Sequence, residues 1–200
     1  WSLAPAVAWW ISLPLDTPKA KLDESQIKFL RKLSRKTWKF FETFVLPEHH
    51  WLPPDNYQED PRSVVANGTS PTNMGLSLLA NLAAYDFGYI SAGKLIERNA
   101  CALQTMKNLE RFQGHFYNWY DTKLLEPMQP KYISTVDSGN LAGHLLTLQQ
   151  GQIELMDQKI LPDQAFNGLQ DTLQIIREAA NGTGGSVDEG RGKMGPPQVL

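Results

Sequence analysis

Apolar residues recur at helical spacing over most of the chain, and the breaks between these runs are rich in proline and glycine. The stretch DESQIKFLRKLSRKTWKFFETFV predicts a helix capped by Asp23, with Gln26 three residues on completing a capping box. Ile27, Leu30, Ser34, Trp38, Phe41 and Val45 trace one stripe expected to be buried, and Pro47 ends the helix. Lys28, Arg31, Lys32, Arg35, Lys36 and Lys39 lie largely off that stripe and read as a solvated face. A second helix is predicted in SPTNMGLSLLANLAAYDFG, with Ser70 as cap, Pro71 at the first position and Gly88 as the stop. Gly75, Ser77 and Ala80 permit close approach of a neighbour to it. Ser91 restarts a helix that runs to about Arg111, anchored by Leu95, Ile96, Leu103, Met106 and Leu109. The short connection predicts that these two helices are antiparallel neighbours. SGNLAGHLLTLQQGQIELMDQ is apolar on most sides and reads as a central helix. QAFNGLQDTLQIIREAA follows, with Phe166, Leu169, Leu173, Ile176 and Ala180 on a single stripe.

Two long segments interrupt this pattern. The first, from Pro47 to Asn73, holds five prolines, yet Trp51 and Tyr57 argue against disorder. The second follows Gly114 and carries Phe116, Tyr117, Trp119, Tyr120 and Tyr132. No segment has a clear period of two; KYISTV is the best candidate for extended chain. The predicted class is therefore all-α, built of antiparallel helix pairs with long aromatic-rich loops. One helical domain is expected over residues 1–181, and the Gly/Pro-rich stretch 182–200 is expected to be a flexible tail or linker. The opening WSLAPAVAWWISLPL is too short to span a bilayer, is broken by Pro5 and Pro14, and lacks the basic start of a signal peptide. It is expected to form a short helix whose tryptophans pack on the domain. The rival reading sets Trp1, Trp9 and Trp10 at an interface just after a membrane segment. The start at Trp1, without Met, is what a chain cut from a longer one would have.

Composition narrows the function classes. With 200 residues and a formal charge of −2, the chain can bury a core and shows no basic face, so nucleic acid is not expected as a partner. Its one cysteine, Cys101, cannot form an internal disulfide and suits a reducing compartment. His49, His50, His115 and His144 have no metal-ligand spacing, so neither a metal nor another cofactor is expected.

Both long loops lead into the start of an apolar helix, so they should converge at one end of the layer. Aromatic rings interleaved with amides and carboxylates suit a sugar. A ring supports the flat C–H face of a pyranose, and Asn and Asp bond its vicinal hydroxyls. The polar candidates are Asp55, Asn56, Glu59, Thr69, Ser70, Asn73, His115, Asn118, Asp121, Asp137, Ser138 and Asn140, with Tyr57, Trp119 and Tyr120 as ring candidates. Simpler roles compete: Asp137 or Ser138 can cap its helix, Thr69 and Ser70 can cap theirs, and Asn67-Gly68 signals a turn. A hydrolytic pair would need two carboxylates about 5 to 10 Å apart. Asp121 with Asp137 or Glu59 is the combination open to a small, complete glycoside hydrolase. A third reading, from a different class, is a non-catalytic helical interaction domain.

The stretches RKTWKFFETFV…WLPPDNYQEDP, TSPTNMGLSLLANLAAYDFGYI and MKNLERFQGHFYNWYDTKLLEPMQPKYISTVDSGNLAGHL resemble the central part of bacterial cyclic β-1,2-glucan synthases. The resemblance is collinear over about Trp1 to Gln150. It implies the N-terminal part of the glucoamylase-like module that closes the glucan ring by transglycosylation, an (α/α)6 toroid of which about half is present. It implies a parent enzyme embedded in the bacterial inner membrane, with this soluble stretch on the cytoplasmic side. The catalytic acids would lie beyond residue 200, leaving the isolated stretch inactive. What the resemblance carries over is contact with β-1,2-glucan by the loops PPDNYQE, TSPTN, HFYNWYD and VDSGN. The remainder of the parent chain is the other expected partner, and a half toroid would expose an apolar flank open to self-association.

Overall fold

The structure, a computed structural model, describes residues 3–13, 21–159 and 162–183. Six α-helices are present among them: α1 (Ala4–Ile11), α2 (Glu24–Phe44), α3 (Pro71–Asp86), α4 (Ala92–Asn108), α5 (Thr135–Leu155) and α6 (Gln164–Thr183). The five long helices and one short one agree with the periodicity, and the chain is mostly helical. The tail from residue 184 on, and Trp1, lie outside the described residues. None of the described helices is long and apolar enough to cross a membrane.

The chain divides into two compact units, Trp1–Leu30 and Arg31–Leu200. In the first, α1 has no buried residue, and Trp9 and Trp10 are exposed, against the expectation that they pack. The start of α2 is closed by a reciprocal capping box. The Gln26 N–H donates to Asp23 Oδ1 at 2.9 Å, and the Asp23 N–H donates to Gln26 Oε1 at 3.0 Å. Ile27 and Leu30 are exposed, so the predicted stripe is not buried at this end.

In the second unit, the later half of that stripe is covered: Trp38 and Val45 are buried. Part of the basic face is also spoken for. Arg31 meets Asp171 at 2.8 Å, Lys32 pairs with Glu178, and the Arg35 Nε donates to Thr172 Oγ1 at 3.1 Å. These contacts turn the polar side of α6 toward α2. The α6 stripe of Phe166, Leu169, Leu173 and Ile176 faces outward instead, each residue 58–61 % exposed. The central role expected for α5 is likewise only half met. Leu141 and Leu148 are buried, while Leu146, Ile153 and Met156 are exposed.

The core lies between α3, α4, α5 and the loops: Leu52, Met74, Leu78, Ala102, Met106, Leu109, Tyr120, Leu141 and Leu148. Glycines set how closely α3 and α5 approach. Gly75 of α3 lies under the His144 ring of α5, and Gly151 of α5 lies under Leu82 of α3, with no room for a Cβ at either glycine. Both pairs step seven residues in the same sense, so α3 and α5 run parallel with their N-termini at one end. Gly88, at φ +79°, ends the α3 turn as predicted and meets Gly168 of α6 backbone to backbone.

Three short antiparallel strand pairs occur where no strand was expected. They are β1 (Asn56–Gln58) with β2 (Val64–Ala66), β3 (Gly68–Thr69) with β6 (Tyr120–Asp121), and β4 (Arg111–Phe112) with β5 (His115–Phe116). At two or three residues each they are too short to leave a period-two pattern; β1–β2 and β4–β5 close local turns, whereas β3–β6 joins the two long loops. KYISTV supplies none of them; its Thr135 already belongs to α5.

Arg98 of α4 ties together the end of α2, α3 and the bend at Trp51. Its Nη2 donates to the carbonyls of Phe41 and Val45 at 3.0 and 3.2 Å, at the end of α2. Its Nε donates to Asn81 Oδ1 of α3 at 2.9 Å. The guanidinium lies 5.1 Å from the Trp38 ring and 5.5 Å from the Trp51 ring. Trp51 and His50 both hold left-handed backbone, at φ 63° and 53°. Thr105 Oγ1 donates to the His50 carbonyl at 2.7 Å and secures that bend. Arg98→Met leaves two carbonyls and an amide without their donor and is expected to cost about 3 kcal/mol. A urea titration reads this as a lower midpoint at unchanged slope.

Candidate functional site

The two long loops converge, and they do so through their backbones. β3 pairs with β6 in the register Gly68↔Asp121 and Thr69↔Tyr120, and the Thr122 N–H donates to the Asn67 carbonyl at 2.8 Å. This zip sets the second loop over the adjacent N-termini of α3 and α5. Ser70 caps α3, accepting from the Asn73 N–H at 3.2 Å. Ser134 caps α5, accepting from the Asp137 N–H at 3.1 Å, and the Ser138 hydroxyl folds back onto the Ser134 carbonyl at 2.8 Å. The cap is therefore Ser134, neither Asp137 nor Ser138. The S-x-x-D spacing of Ser134 and Asp137 is the sequence signal for it.

Freed from capping, the Asp137 side chain becomes a hub. The Thr72 hydroxyl donates to its Oδ1 at 2.6 Å, and Asn140 Nδ2 donates to Thr72 Oγ1 at 3.1 Å. The buried Asn118 amide satisfies every neighbour in one orientation. Its nitrogen donates to Asp137 Oδ2 at 2.8 Å, and its oxygen accepts from Trp119 Nε1 and from the Tyr132 hydroxyl, both at 2.7 Å. A second link runs along the loop before α3: Asn73 Nδ2 donates to Asp55 Oδ1 at 3.1 Å, and Asn56 Nδ2 to Asp55 Oδ2 at 2.8 Å. Burial pushes the Asp137 carboxyl up, but hydrogen bonds from the Ser134, Thr72 and Ser70 side chains and the Thr72 backbone outweigh it, so the group sits below the ordinary carboxylate range.

Two open grooves share the Asp55 wall. One, of about 390 Å³, is lined by Asp55, Asn67, Gly68, Trp119, Met128 and Tyr132 among others. Gly68 lies against the Trp119 ring; a Cβ there would sit 3.4 Å from it. The Asn67 Oδ1 in this groove is buried and has no partner among the described residues. The other groove, of about 580 Å³, is lined by Asn56, Tyr57 and Glu59 with Lys36, Lys39 and Phe44, the Tyr57 ring standing 4.9 Å from that of Phe44.

The structure thus brings together Asp55, Asn56, Asn73, Asn118, Trp119, Asp137 and Asn140, with Tyr57 and Glu59 across the Asp55 wall. Other candidates lie elsewhere. Tyr120 has no exposed surface. Its hydroxyl donates to the Glu110 carbonyl and accepts from the Tyr117 N–H, and its ring meets Phe116 and Tyr117 edge-on. Thr69 and Ser70 are buried, held in β3 and in the α3 cap. The Asp121 carboxylate accepts from the backbone of Lys123 at 2.7 Å and of Leu124 at 2.9 Å, so it closes a turn. His115 is exposed in the β4–β5 hairpin, and Trp51 packs on the core beneath Arg98. The rings of the loops therefore divide into an interior set, a pair at the polar hub, Trp119 and Tyr132, and Tyr57 in the second groove. Thr72 and Asn67 were not singled out by the sequence. Thr72 was legible as the free hydroxyl in the first turn of α3, whereas Asn67 was hidden inside a turn signal. Among the described residues no group of three or more His, Cys, Asp or Glu could hold a metal ion.

Two outcomes test these assignments. Tyr120→Phe strips the part-buried Glu110 carbonyl and Tyr117 N–H of their partner and is expected to cost about 1 kcal/mol in thermal or urea unfolding. Because the folded Asp137 pKa is depressed, its stabilisation is whole above the unfolded value of about 4 and fades as pH falls through the folded value. Asp137→Asn should therefore shrink the loss of stability between about pH 6 and about pH 3, measured by urea titration at each pH.

No protein-family model matches the chain. In fold it is similar to two solved structures, each described as a candidate glucoamylase. For the Bacteroides caccae ATCC 43185 protein the TM-score is 0.54 at 21% identity, over 76% of this chain and 37% of that one. For the Bacteroides fragilis NCTC 9343 protein it is 0.51 at 19% identity, over 66% of this chain and 32% of that one. The parallel α3–α5 pair, with α4 returning from α3, is a portion of such a glucoamylase-like (α/α)6 toroid. In sequence the chain is 42% identical over 183 residues to the cyclic beta-(1,2)-glucan synthase NdvB of Rhizobium meliloti (strain 1021), and it spans 6% of that protein's length. The resemblance read from the motifs thus holds: over 90% of its own length, this chain is homologous to one stretch of a cyclic beta-(1,2)-glucan synthase.

Proposed function

We propose that this stretch supplies one wall of the groove that holds a β-1,2-glucan chain in the module that closes the ring by transglycosylation. The observation that carries the reading is the hub at the α3 and α5 N-termini. Two partly exposed rings, Trp119 and Tyr132, are held over a groove by a hydrogen-bonded set of amides and carboxylates. Rings give a pyranose its apolar seat, and the amides and Asp55 offer bonds to hydroxyls. The homology to a glucan synthase supports β-1,2-glucan as the sugar.

In this reading the stretch positions glucan, and the carboxylates that cleave and re-form the glycosidic bond come from elsewhere in the parent chain. Asp121 is committed to its turn, which disfavours pairing it with Asp137 as a self-contained hydrolase. The parent is an inner-membrane synthase with this stretch on the cytoplasmic side. The outward apolar stripe of α6 and the open side of α5 are covered by further helices of that parent, in keeping with the part of the glucoamylase-like chains this chain matches. The loss of one stacking ring predicts the test. Trp119→Ala should weaken binding of linear β-1,2-glucan about tenfold in calorimetry, with cellulose oligosaccharides as the control. Unchanged affinity in the variant, or equal binding of the control sugar, would overturn the reading.

A further inference from the structure

Asp137 looks like a ligand-binding carboxylate in sequence, but its two oxygens are already engaged: Oδ1 by Thr72 and Oδ2 by Asn118. We propose that Asp137 is a positioning residue that acts through Asn118 to fix the Trp119 indole and the Tyr132 phenol as the rings that meet the ligand. The inference rests on the glucan reading for the identity of that ligand.

The chemistry of each partner gives the relay its direction. An indole N–H can only donate, so the Asn118 atom facing Trp119 Nε1 at 2.7 Å is the amide oxygen. The same oxygen takes the Tyr132 hydroxyl at 2.7 Å. The amide nitrogen is then left pointing at position 137, where it needs an acceptor, and an ionised carboxylate offers only acceptors. Asp137 is in turn held from both helices, by the Ser134 cap of α5 and by Thr72 of α3. Hydrogen bonds that keep its carboxyl ionised at neutral pH agree with this role. Tyr132 is 48% exposed, so its hydroxyl is the anchor that keeps an otherwise open ring from swinging. The Asn118 N–H also donates to the Tyr132 carbonyl at 2.9 Å, which sets the backbone under that ring. Rings ordered before the ligand arrives lose less freedom on binding, an advantage of about tenfold in affinity.

An exchange of the two residues separates positioning from direct contact. Asp137→Asn alone sets two amide nitrogens against each other, turns the Asn118 amide away from the rings, or turns its own nitrogen onto Thr72, which then gives up its donor bond to position 137 and loosens the tie to α3. Adding Asn118→Asp restores the pattern, because the new carboxylate accepts from Trp119, Tyr132 and the amide at 137. The test measures calorimetric affinity for linear β-1,2-glucan and the fluorine resonance of 5-fluorotryptophan at Trp119, assigned with Trp119→Phe. The expected result is a fall of about tenfold in affinity with a shifted, broadened resonance for Asp137→Asn, and recovery of both in the Asn118→Asp/Asp137→Asn pair. A resonance unmoved by Asp137→Asn would overturn the proposal, and so would an affinity loss that the exchange does not reverse. Should the unaltered protein bind no glucan, the glucan reading falls, and the resonance still decides whether Asp137 positions the ring.

Discussion

The close, parallel contact of α3 with α5 is the constraint on which the candidate site depends. It exists because each helix offers a glycine to a large residue of the other, Gly75 to His144 and Gly151 to Leu82. A methyl group at Gly75 would press on the His144 Cβ, which is fixed to its backbone, and one at Gly151 would displace the Leu82 side chain. With the axes close and parallel, the two N-termini open at the same level, and Thr72 can reach Asp137 at 2.6 Å. The helix dipoles then add at that end, which favours the ionised carboxylate there.

Around this pair the loops are held by a different means. Their short strands bury backbone groups against each other, and Tyr120 plugs the space beneath with both lone pair and proton in use. Burial pushes its phenol up to about 12, so it remains a neutral structural donor across the range in which proteins work. The bend at His50 and Trp51 is held down by Arg98 and Thr105 of α4, and it delivers Leu52 to the core just before Asp55 reaches the groove. The rings therefore serve two ends. Those under the loops make them rigid, and those at the edge, Trp119 and Tyr132, look onto the groove.

The exposed apolar stripe of α6 follows from a local competition. Asp171 and Glu178 lie on one side of that helix, and Arg31 and Lys32 of α2 capture them. Tyr89 adds a bond from its hydroxyl to Asp171 Oδ2 at 3.3 Å. With its polar side tied down, α6 turns its Phe and Leu side chains outward.

By itself the sequence determined what is local: the five long helices and the short one, the Asp23, Ser70 and Ser91 caps, the Gly88 stop, and the small residues where a neighbour comes close. These depend on residues within one or two turns of one another, so spacing alone expresses them. Much of the candidate site was legible too, because Asn118, Trp119 and Asp137 stand out as polar and aromatic residues in a loop that opens a helix. Tertiary structure decided which face of each helix was buried, which rings went inside, and that Asp137 would turn to Asn118 and Thr72. Those outcomes depend on partners far along the chain, such as Asp171 for Arg31 and Thr72 for Asp137, and periodicity carries no record of who the partner is.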